Sequence, residues 1–476
     1  MTDALRQKRA SSQSVRARVL ALMVGDLLFL YGVWAFLVLL YWSVAQVGYV
    51  PRQYLAFWPI GPLYVILNVG FRLYGGSALH PSLPFSPVEE FRRLVCSSLL
   101  LHIGVMSFLG FSRLETEISR LVLVCACVTV GLFAQSVRDA VRWILKRLDV
   151  GQTPVVVLGS GPVAQSLVAD FSASSYFGVK VLGYFDREGR ALGDLPRLGG
   201  IRDVLKVSRR LSVRRLVVCE DQRVLRTQLA AYATHFSHVD YFPEASAFPI
   251  SGARPLSVDG LGGIEMVNQL QMPVVRFQKA LLDWVLSIFT LVLLTPFFVV
   301  IPLLIKLTSR GPVFYRQHRL GRKGRPFLIW KFRTMYCDAD RRLERLLAGC
   351  PDLAVEWERK HKLSNDPRVT PLGRFLRRTS LDEIPQIFNV FGGEMSLIGP
   401  RPIVEDEVVH YGSRYDIFSR VKPGVTGLWQ SQGRSETDYA RRVALDIYYV
   451  LNWNIWLDLW ICLRTVFSVV TMRGAL

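Results

Sequence analysis

The stretch Ala280 to Ile305, ALLDWVLSIFTLVLLTPFFVVIPLLI, decides how the C-terminal half of the chain meets a membrane. It is long enough to cross a bilayer as one helix. Midway, however, Pro296 removes a backbone donor, and the hydroxyl of Thr295 can hydrogen-bond a carbonyl that the break leaves free. The sequence therefore predicts a helix over about 280–305 that is broken at Thr295 and Pro296.

Basic residues lie on both sides of this run. Arg276 and Lys279 precede it, and Lys306 and Arg310 follow it. Because Lys and Arg are retained on the cytoplasmic side of membranes, both ends are expected on that side. We therefore predict a re-entrant helix that enters one leaflet and returns. A straight span with an incidental proline is the alternative interpretation.

Four more apolar runs lie in residues 1–150, and each has about the length needed to cross a bilayer. They are Val19 to Trp42, Tyr54 to Phe71, Leu94 to Phe111 and Leu121 to Val137. Basic residues are concentrated before the first run, between the second and the third, and after the fourth. This pattern predicts a four-helix transmembrane region with both ends in the cytoplasm. Asp26, inside the first run, is interpreted as forming a structural hydrogen bond to a neighbouring helix, with a functional role as the alternative.

The composition agrees with a membrane protein that faces anionic groups. Hydrophobic residues make up 51% of the 476 residues, which excludes a disordered chain. Lys and Arg number 58 against 38 Asp and Glu, so the net charge of +20 admits either nucleic acid or phosphates and anionic lipid as partners. The seven cysteines show neither a disulfide framework nor the CxxC spacing of a metal site.

Residues 151–272 have the pattern of a nucleotide-binding fold. The β-rich run Thr153 to Leu158 leads into GSGPVA, Gly159 to Ala164, and then into a helical stretch, as in the first unit of a dinucleotide-binding domain. Asp186 follows the next predicted strand, Val179 to Phe185, where a ribose-binding acid could stand. Because a lone GxGxxA motif is a weak signal, we interpret this Rossmann-like module as structural or regulatory. Cofactor binding is the alternative.

The last region, residues 273–476, combines the predicted re-entrant helix with short basic motifs. From residue 306 onward there are 28 Lys and Arg against 18 Asp and Glu, which is about half of the net positive charge. The cations stand beside glycine, proline and aromatic residues in KFRTM from Lys331, GRFLRR from Gly373, GPRP from Gly399 and KPGVTG from Lys422. Cations fixed on turns favour phosphate binding over the basic stripe of a duplex-binding protein.

Between two of these motifs lies TSLDEIPQ, Thr379 to Gln386, followed by apolar residues with a helical rhythm. Proline is accepted in the first turn of a helix, so Pro385 predicts a helix that begins close to Asp382 and Glu383. Adjacent helical residues diverge by about 100°, so one carboxylate could attack a phosphorus while the other holds Mg²⁺. Capping of the helix N-terminus by the two acids is the alternative.

The ordered motifs KFRTM, TSLDEIPQIFNVFGGEMSLIGPRP and KPGVTGLWQ closely resemble the bacterial sugar transferase family of polyprenyl-phosphate sugar-1-phosphate transferases. The resemblance covers roughly Phe277 to the C-terminus, and the whole layout resembles the large monotopic phosphoglycosyl transferases. It implies a membrane α-helical N-terminal bundle (residues 1–150), an α/β Rossmann-like middle module (151–272) and an α-rich monotopic catalytic domain with a re-entrant helix (273–476).

The family resemblance implies a ping-pong reaction in which UDP-hexose and undecaprenyl phosphate give undecaprenyl-diphospho-hexose and UMP. By motif match, Asp382 is expected to attack the β-phosphorus and to carry a covalent phospho-sugar, and Glu383 is expected to coordinate Mg²⁺. Four cations match basic positions of the motifs and are expected to hold phosphates: Lys331, Arg333, Arg377 and Arg401. The motifs leave galactose and glucose open as the transferred hexose.

The resemblance also implies a place in the bacterial inner membrane, a cytoplasmic catalytic domain, a homodimer, and the first step of O-antigen, capsule or exopolysaccharide synthesis. Because so much of the basic charge surrounds one Asp–Glu pair, diphosphate and lipid headgroups are the expected partners, and nucleic acid is not. A non-enzymatic membrane scaffold or sensor, which reads a nucleotide through the GxGxxA module, is the alternative function.

Overall fold

The computed structural model describes the chain in several stretches. They are residues 2–45, 54, 57–74, 86–112, 119–173, 176, 178–187, 189–211, 213–220, 228, 231–232, 234–242, 254–258, 261–265, 269–349, 366–433 and 439–470. The chain divides into two compact units, Met1–Phe248 and Pro249–Leu476. The predicted region boundaries after residues 150 and 272 stay predictions.

Four apolar helices open the described part of the first unit. They are α1 (Thr2–Ala45), α2 (Ile60–Gly70), α3 (Pro87–Ser112) and α4 (Arg120–Arg147). Helices α1, α3 and α4 contain apolar stretches of 29, 25 and 28 residues, which are long enough to cross a bilayer. They pack through a shared core that includes Leu30, Trp34 and Leu101. The structure therefore confirms helices long enough to span for three of the four predicted runs.

Helix α2 is shorter than the predicted run from Tyr54 to Phe71. Its 11 residues rise by about 16 Å, against roughly 30 Å for the hydrocarbon core of a bilayer. Pro59 is its N-cap residue and Pro62 lies in its first turn. Because proline lacks an N–H, a helix accepts these residues only at its beginning. A helix therefore lies at the predicted place, but the prediction that it is long enough to span a bilayer was wrong.

A cluster of buried charges joins one end of the four helices. Asp26 on α1 accepts hydrogen bonds from Arg138 Nη2 at 2.6 Å and from the Tyr74 hydroxyl at 2.8 Å. Glu90 on α3 accepts from Arg138 Nη1 at 2.9 Å and from Arg142 Nη2 at 2.6 Å. Two acids thus compensate two arginines inside an apolar bundle. The structural interpretation of Asp26 is confirmed.

The remainder of the first unit is built on a parallel five-stranded sheet. Its strands are β1 (Thr153–Leu158), β2 (Val179–Phe185), β3 (Arg197–Gly199), β4 (Arg215–Val218) and β5 (His238–Tyr241), in the order β3-β2-β1-β4-β5. The helices α5 (Pro162–Ala173) and α6 (Val204–Arg210) accompany it. Val155 faces one core and Val156 faces another, so apolar residues cover both faces of the sheet. The predicted α/β class is confirmed.

The GxGxxA turn after β1 is tightly packed. Gly159 has a φ of +114°, and a Cβ atom there would lie 2.7 Å from the carbonyl oxygen of Cys219. Asp186, just after β2, is buried and accepts a hydrogen bond from the backbone N–H of Arg190 at 2.9 Å. The packing of the module itself accounts for this glycine and this acid, which favours the structural interpretation of the motif.

The second unit contains the long helix α7 and a set of short elements around it. In chain order they are β6 (Arg254–Val258), β7 (Leu261–Glu265), α7 (Pro273–Thr308), β8 (Phe314–Leu320), β9 (Pro326–Phe332), α8 (Ala339–Gly349), α9 (Pro371–Thr379), α10 (Ile387–Phe391), β10 (Ser396–Ile398), α11 (Val408–Tyr411), α12 (Tyr415–Phe418), β11 (Gly424–Thr426), α13 (Leu428–Gly433), α14 (Tyr439–Asn452) and α15 (Ile455–Val470). Strands β6 and β7, and likewise β8 and β9, form antiparallel pairs, whereas β10 and β11 pair in parallel.

Helix α7 is continuous over 36 residues and includes Pro296. The Thr295 hydroxyl donates to the carbonyl of Leu291 at 2.8 Å. The carbonyl to which Pro296 cannot donate is that of Val292, so the Thr295 hydroxyl does not replace the lost bond in the predicted way. The helix assignment runs on through Pro296, and both the predicted break and the re-entrant path stay proposals.

Both halves of α7 nevertheless pack on the same short helix, α10. The Trp284 ring lies 5.7 Å from that of Phe391, and the Phe298 ring lies 5.3 Å from that of Phe388, measured between centroids. Between these two contacts the helix exposes apolar side chains, of which Val292 is 70% exposed. Both halves of α7 thus contact the same helix, α10. The exposed apolar middle of α7 is the kind of surface that is buried in a membrane or in a protein interface.

A buried ion cluster fixes the first half of α7 to β10 and α15. Lys279 Nζ lies 2.7 Å from Asp283 Oδ1 and 2.8 Å from Asp458 Oδ2. The Ser396 hydroxyl of β10 donates to Asp283, and the Tyr449 hydroxyl donates to Asp458. Because the charges are paired and hydrogen-bonded, they can be buried, and they position the strand that leads into the GPRP motif.

Candidate active site

The Asp–Glu pair lies in a 3-10 helix, Leu381–Gln386, between α9 and α10. Ser380, just before it, has a φ of +57°, and this left-handed conformation turns the chain sharply after α9. Asp382 and Glu383 both fall in the first turn of the 3-10 helix, as predicted. Pro385 lies in its second turn, and successive side chains diverge by about 120°. The two carboxylates can therefore serve different purposes.

Lys331 on β9 pairs with the second acid. Its Nζ lies 2.7 Å from Glu383 Oε1, and both side chains are largely buried. Asn389 on α10 accepts a hydrogen bond from the Trp330 backbone N–H at 3.0 Å and donates to the Leu328 carbonyl at 2.7 Å. These bonds fix β9 against the segment that carries the acids, so the salt bridge joins two positioned elements.

Asp382 is buried beside its neighbour, with 8% of its surface exposed. Burial raises the pKa of the Asp382 carboxyl to about 6, and the charge of Glu383 adds to the increase. The positive charges of Lys331 and Arg377 act in the opposite direction. At neutral pH the group is therefore mainly ionised but poorly solvated, which is the state that suits a nucleophilic carboxylate.

Arg377, in the last turn of α9, is the second cation near Asp382. Its Nε donates to Thr334 Oγ1 at 2.9 Å, which fixes the guanidinium group. Helix α9 lies against the chain after β9 so closely that a Cβ atom at Gly373 would be 2.0 Å from the Thr334 carbonyl oxygen. The glycine of GRFLRR is thus required by the close approach that positions Arg377.

Arg401 lines one pocket together with Lys331 and Glu383. It follows β10, which runs parallel to β11. The strands approach so closely that a Cβ atom at Gly424 would lie 2.1 Å from the backbone nitrogen of Gly399. The glycines of GPRP and KPGVTG therefore permit the strand pairing that brings Arg401 to the pocket.

The structure does not bring Arg333 to this pocket. Its guanidinium donates to the Ser309 carbonyl at 2.9 Å, the Ser309 hydroxyl at 2.7 Å and the Arg310 carbonyl at 3.1 Å. Because side chains alternate along a strand, Lys331 and Arg333 would lie on the same face if β9 included both. The strand ends at Phe332, however, so Arg333 lies outside it. Arg333 therefore binds the C-terminal end of α7, and its phosphate-holding role stays a prediction.

The predicted Mg²⁺ can be compared with the donors that surround the pocket. Among the described residues there is no group of three or more His, Cys, Asp and Glu side chains that could hold a metal by themselves. Glu383 nevertheless lines the pocket, and Asp382 precedes it. This set fits Mg²⁺, which is commonly bound by one or two carboxylates, substrate phosphates and waters.

Sequence reasoning missed three polar side chains of the pocket wall: Arg319 on β8, Gln386 and Gln430. Gln386 and Gln430 stand within the motifs TSLDEIPQ and KPGVTGLWQ, so inspection of every polar motif residue would have found them. Arg319 stands among other basic residues of an exposed hairpin, and its sequence context carries no signal of this kind.

Comparison with known proteins agrees with the motif resemblance. A family model described as bacterial sugar transferase matches residues 274–472. The chain is 32% identical to the undecaprenyl-phosphate galactose phosphotransferase of Salmonella typhimurium over 396 residues, which are 81% of this chain and 82% of that protein. This similarity was predicted from the motifs and is confirmed.

Two further relatives cover different shares of the chain. The UDP-glucose:undecaprenyl-phosphate glucose-1-phosphate transferase of Klebsiella pneumoniae is 31% identical over 79% of this chain and 80% of its own length. The exopolysaccharide production protein ExoY of Rhizobium meliloti is 44% identical, over 43% of this chain but 90% of its own length. Less than half of this chain is thus similar to almost the whole of a shorter protein.

Proposed function

The chain belongs to the bacterial sugar transferase family, and from this membership we propose that it transfers hexose 1-phosphate from UDP-hexose to undecaprenyl phosphate. The products are undecaprenyl-diphospho-hexose and UMP, and the hexose is galactose or glucose. The reaction begins the synthesis of an O-antigen, capsule or exopolysaccharide. The observation that carries this proposal is the pocket in which Glu383, beside Asp382, meets Lys331 and Arg401.

In the first half-reaction, a carboxylate oxygen of Asp382 attacks the β-phosphorus of UDP-hexose. The bond between this phosphorus and the oxygen that bridges to the α-phosphorus breaks, and UMP leaves with that oxygen. The hexose phosphate is then held on Asp382 as an acyl phosphate. In the second half-reaction, an oxygen of undecaprenyl phosphate attacks the same phosphorus and releases the Asp382 carboxylate.

The charges around Asp382 support this role. An anionic nucleophile must approach an anionic diphosphate, so nearby cations have to offset the repulsion. Burial raises the pKa of Asp382, whereas Lys331 and Arg377 both lower it, which supports a role for the two cations at this carboxylate. Arg401 stands on the pocket wall as a further cation for phosphate oxygens.

Glu383 and the phosphates of the donor would hold Mg²⁺ in this pocket. The ion would supply charge neutralisation of the diphosphate and of the UMP leaving group. Lys331 orients Glu383 through the 2.7 Å salt bridge. We expect Glu383→Gln to raise the Mg²⁺ concentration for half-maximal activity by roughly tenfold or more. An unchanged Mg²⁺ response would exclude Glu383 as the ligand.

We also propose that the protein lies in the bacterial inner membrane as a homodimer with its catalytic domain in the cytoplasm. Both halves of α7 pack on α10, which supports a re-entrant path with both ends on one side. A catalytic domain held in this way lies at the headgroup plane. There a water-soluble nucleotide sugar can meet the phosphate of a lipid.

Release of UMP by the purified full-length protein tests the proposed function. With Mg²⁺, UDP-galactose or UDP-glucose and no lipid acceptor, about one UMP per active site should appear in a single burst. Addition of undecaprenyl phosphate should then allow continuous turnover. A label in the β-phosphate should remain on the protein after the burst, and the preferred donor identifies the hexose.

The matched variants are Asp382→Asn and Asp416→Asn, of which Asp416 is an exposed acid on α12. Asp382→Asn should lose both the burst and at least ~10³-fold in turnover, because an amide does not form the acyl phosphate. Asp416→Asn should behave as the unaltered protein. Full turnover by Asp382→Asn would eliminate Asp382 as the nucleophile.

A further inference from the structure

The turn between β8 and β9 borders a cavity that is separate from the pocket of the Asp–Glu pair. This turn cavity is lined by residues of that turn, by Phe327 and by Lys422, and its volume is about 480 Å³, which suits a small ligand or a lipid headgroup. Among the described residues, it has no lining residue in common with the pocket. Phe327 and the pocket residue Lys331 are both on β9, about 13 Å apart along the strand. A ligand in the turn cavity would therefore not occupy the active site.

Positive charge dominates the wall of the turn cavity. Four of its lining residues are cations: Arg322, Lys323, Arg325 and Lys422. Glu394 is the one acid on the described wall, and its Oε2 accepts a hydrogen bond from Asn389 Nδ2 at 2.7 Å. Within the part of the chain that the structure describes, none of the four cations forms an ion pair. Because like charges that face one cavity repel one another, a bound anion would relieve this repulsion.

Hydrogen bonds fix the turn itself in an unfavourable backbone conformation. Lys323 has a φ of +59°, in the left-handed region that residues other than glycine rarely adopt. The Gly321 N–H donates to the Arg325 carbonyl at 2.8 Å, which closes the turn. The Lys323 N–H donates to the Ser419 carbonyl at 2.7 Å. The turn is thus held against a separate segment of the chain, and strain of this kind is often found at binding sites.

That separate segment also carries the fourth cation. Arg322 Nε donates to the carbonyl of Arg420, which precedes Lys422 by two residues, at 3.0 Å. Lys422 Nζ lies 3.7 Å from the position that a Cβ atom at Gly393 would take, so its ammonium group lies against the turn after α10. The two segments that supply the cations are therefore joined by hydrogen bonds, and the cations form one positioned set.

The turn cavity lies close to an exposed tryptophan of α7. Phe391, the last residue of α10, contacts the ring of Trp284 on α7. Gly393 and Glu394 follow within three residues, so the chain places these parts of the cavity wall within roughly 11 Å of Phe391. Trp284 is 53% exposed, and an exposed tryptophan on a membrane helix is typical of the level of the lipid headgroups. The cavity is therefore within reach of that level.

We propose that the turn cavity is a second anion site, which binds the phosphate group of a molecule other than the two substrates. Guanidinium and ammonium groups of Arg322, Lys323 and Lys422 hold the phosphate oxygens. A phosphate of this kind is available from the headgroup of an anionic phospholipid and from inorganic phosphate in solution. The position near Trp284 favours the phospholipid, whose headgroup would fix the catalytic domain to the membrane surface. This inference goes beyond the proposed function, because the site takes no part in the transfer reaction.

Native mass spectrometry of the full-length protein in detergent measures the binding of phospholipid. Phosphatidylglycerol should remain bound at roughly tenfold lower concentration than phosphatidylcholine, whose own cation compensates its phosphate. The double variant Lys323→Gln with Lys422→Gln should lower the affinity for phosphatidylglycerol by about tenfold, because two cations of the wall are lost. Arg325→Gln, at a third cation of the wall, is an independent variant that should weaken binding in the same direction.

The matched control is Lys206→Gln with Arg210→Gln. It removes the same amount of charge from two exposed positions on α6, far from the turn cavity in sequence. This control should bind phosphatidylglycerol as the unaltered protein does. If it loses as much affinity as the Lys323 and Lys422 variant, net charge and not the cavity determines binding, and the proposal is overturned. Unchanged binding in both cavity variants overturns it as well, provided that inorganic phosphate also fails to distinguish them.

Titration with inorganic phosphate identifies the source of the phosphate group. The unaltered protein and the Lys323 and Lys422 variant are compared by calorimetry in detergent without added phospholipid. Tighter binding of inorganic phosphate by the unaltered protein, together with release of phosphatidylglycerol, assigns the site to free phosphate. Retention of phosphatidylglycerol in the presence of millimolar phosphate, on the order of intracellular metabolite levels, assigns it to the lipid.

The anion site and the proposed reaction can fail separately, because these measurements need no turnover. If the cavity variants lose phosphatidylglycerol while the unaltered protein releases no UMP from UDP-hexose, the anion site stands and the reaction fails. If the unaltered protein turns over UDP-hexose while the cavity variants bind both probes as the unaltered protein does, the reaction stands and the anion site fails.

Discussion

Lys331 Nζ lies 2.7 Å from Glu383 Oε1, although 52 residues separate the two in sequence. The salt bridge connects β9 with the 3-10 helix that holds both acids. It leaves Asp382 buried beside an anion and a cation, so the charge state of the proposed nucleophile depends on this pair.

The first prediction concerns the pH dependence of kcat/KM. Burial and Glu383 raise the pKa of Asp382 to about 6, so activity should fall as pH drops through about 6 and the carboxylate takes up a proton. Lys331 lowers this pKa, and Lys331→Gln should therefore move the acidic limb to higher pH. The measurement is the pH profile of UMP release. An acidic limb at the same pH in the variant would show that Lys331 does not act on the titrating group.

The second prediction separates two arginines of neighbouring motifs. Arg333→Met removes three hydrogen bonds from the end of α7 and should lower the free energy of unfolding by about 2–4 kcal/mol. Arg401→Met should instead raise the KM for UDP-hexose by roughly tenfold or more while the melting temperature changes little. Thermal unfolding and steady-state kinetics of the two variants check this. If Arg333→Met instead raised the KM for UDP-hexose and left the melting temperature unchanged, Arg333 would be a phosphate-binding residue.

The third prediction concerns the ion cluster beneath the GPRP motif. Lys279→Met leaves Asp283 and Asp458 buried without their cation and should cost about 3–5 kcal/mol of stability. The double variant Lys279→Met with Asp458→Asn removes one of the two negative charges and should recover part of that loss. Denaturation of the unaltered protein, the single variants Lys279→Met and Asp458→Asn and the double variant forms a double-mutant cycle. Additive losses would mean that the two groups do not interact.

The fourth prediction tests the path of α7 by thiol labelling. Cys337 is exposed, and it follows α7 in the second unit. In a variant that retains only this cysteine, a membrane-impermeant maleimide should label Cys337 in inverted vesicles and not in intact spheroplasts. A cysteine placed in an extracellular loop of a co-expressed membrane protein serves as the positive control. Labelling of Cys337 in intact spheroplasts would mean that α7 crosses the membrane.

Features that depend on local composition and spacing could be predicted from the amino-acid sequence alone. The apolar runs that contain Asp26, Leu101 and Val130 form helices α1, α3 and α4, as their length and hydrophobicity predicted. The start of a helix close to Asp382 was predicted from Pro385, although the 3-10 geometry was not, and the parallel sheet was predicted from β-rich runs and the glycine turn. Family membership likewise depends on ordered motifs and needs no coordinates.

The surroundings of each motif side chain, in contrast, become visible only in the folded chain. Arg333 and Arg401 are indistinguishable as arginines in basic motifs, yet one caps α7 and the other lines the pocket. Gln430, in the motif KPGVTGLWQ, likewise lines the pocket only because the tertiary structure brings α13 to it. The physical reason is the same in each case. The hydrogen-bond partner of a buried polar side chain comes from a distant part of the chain, and the packing of the fold sets the position of that partner.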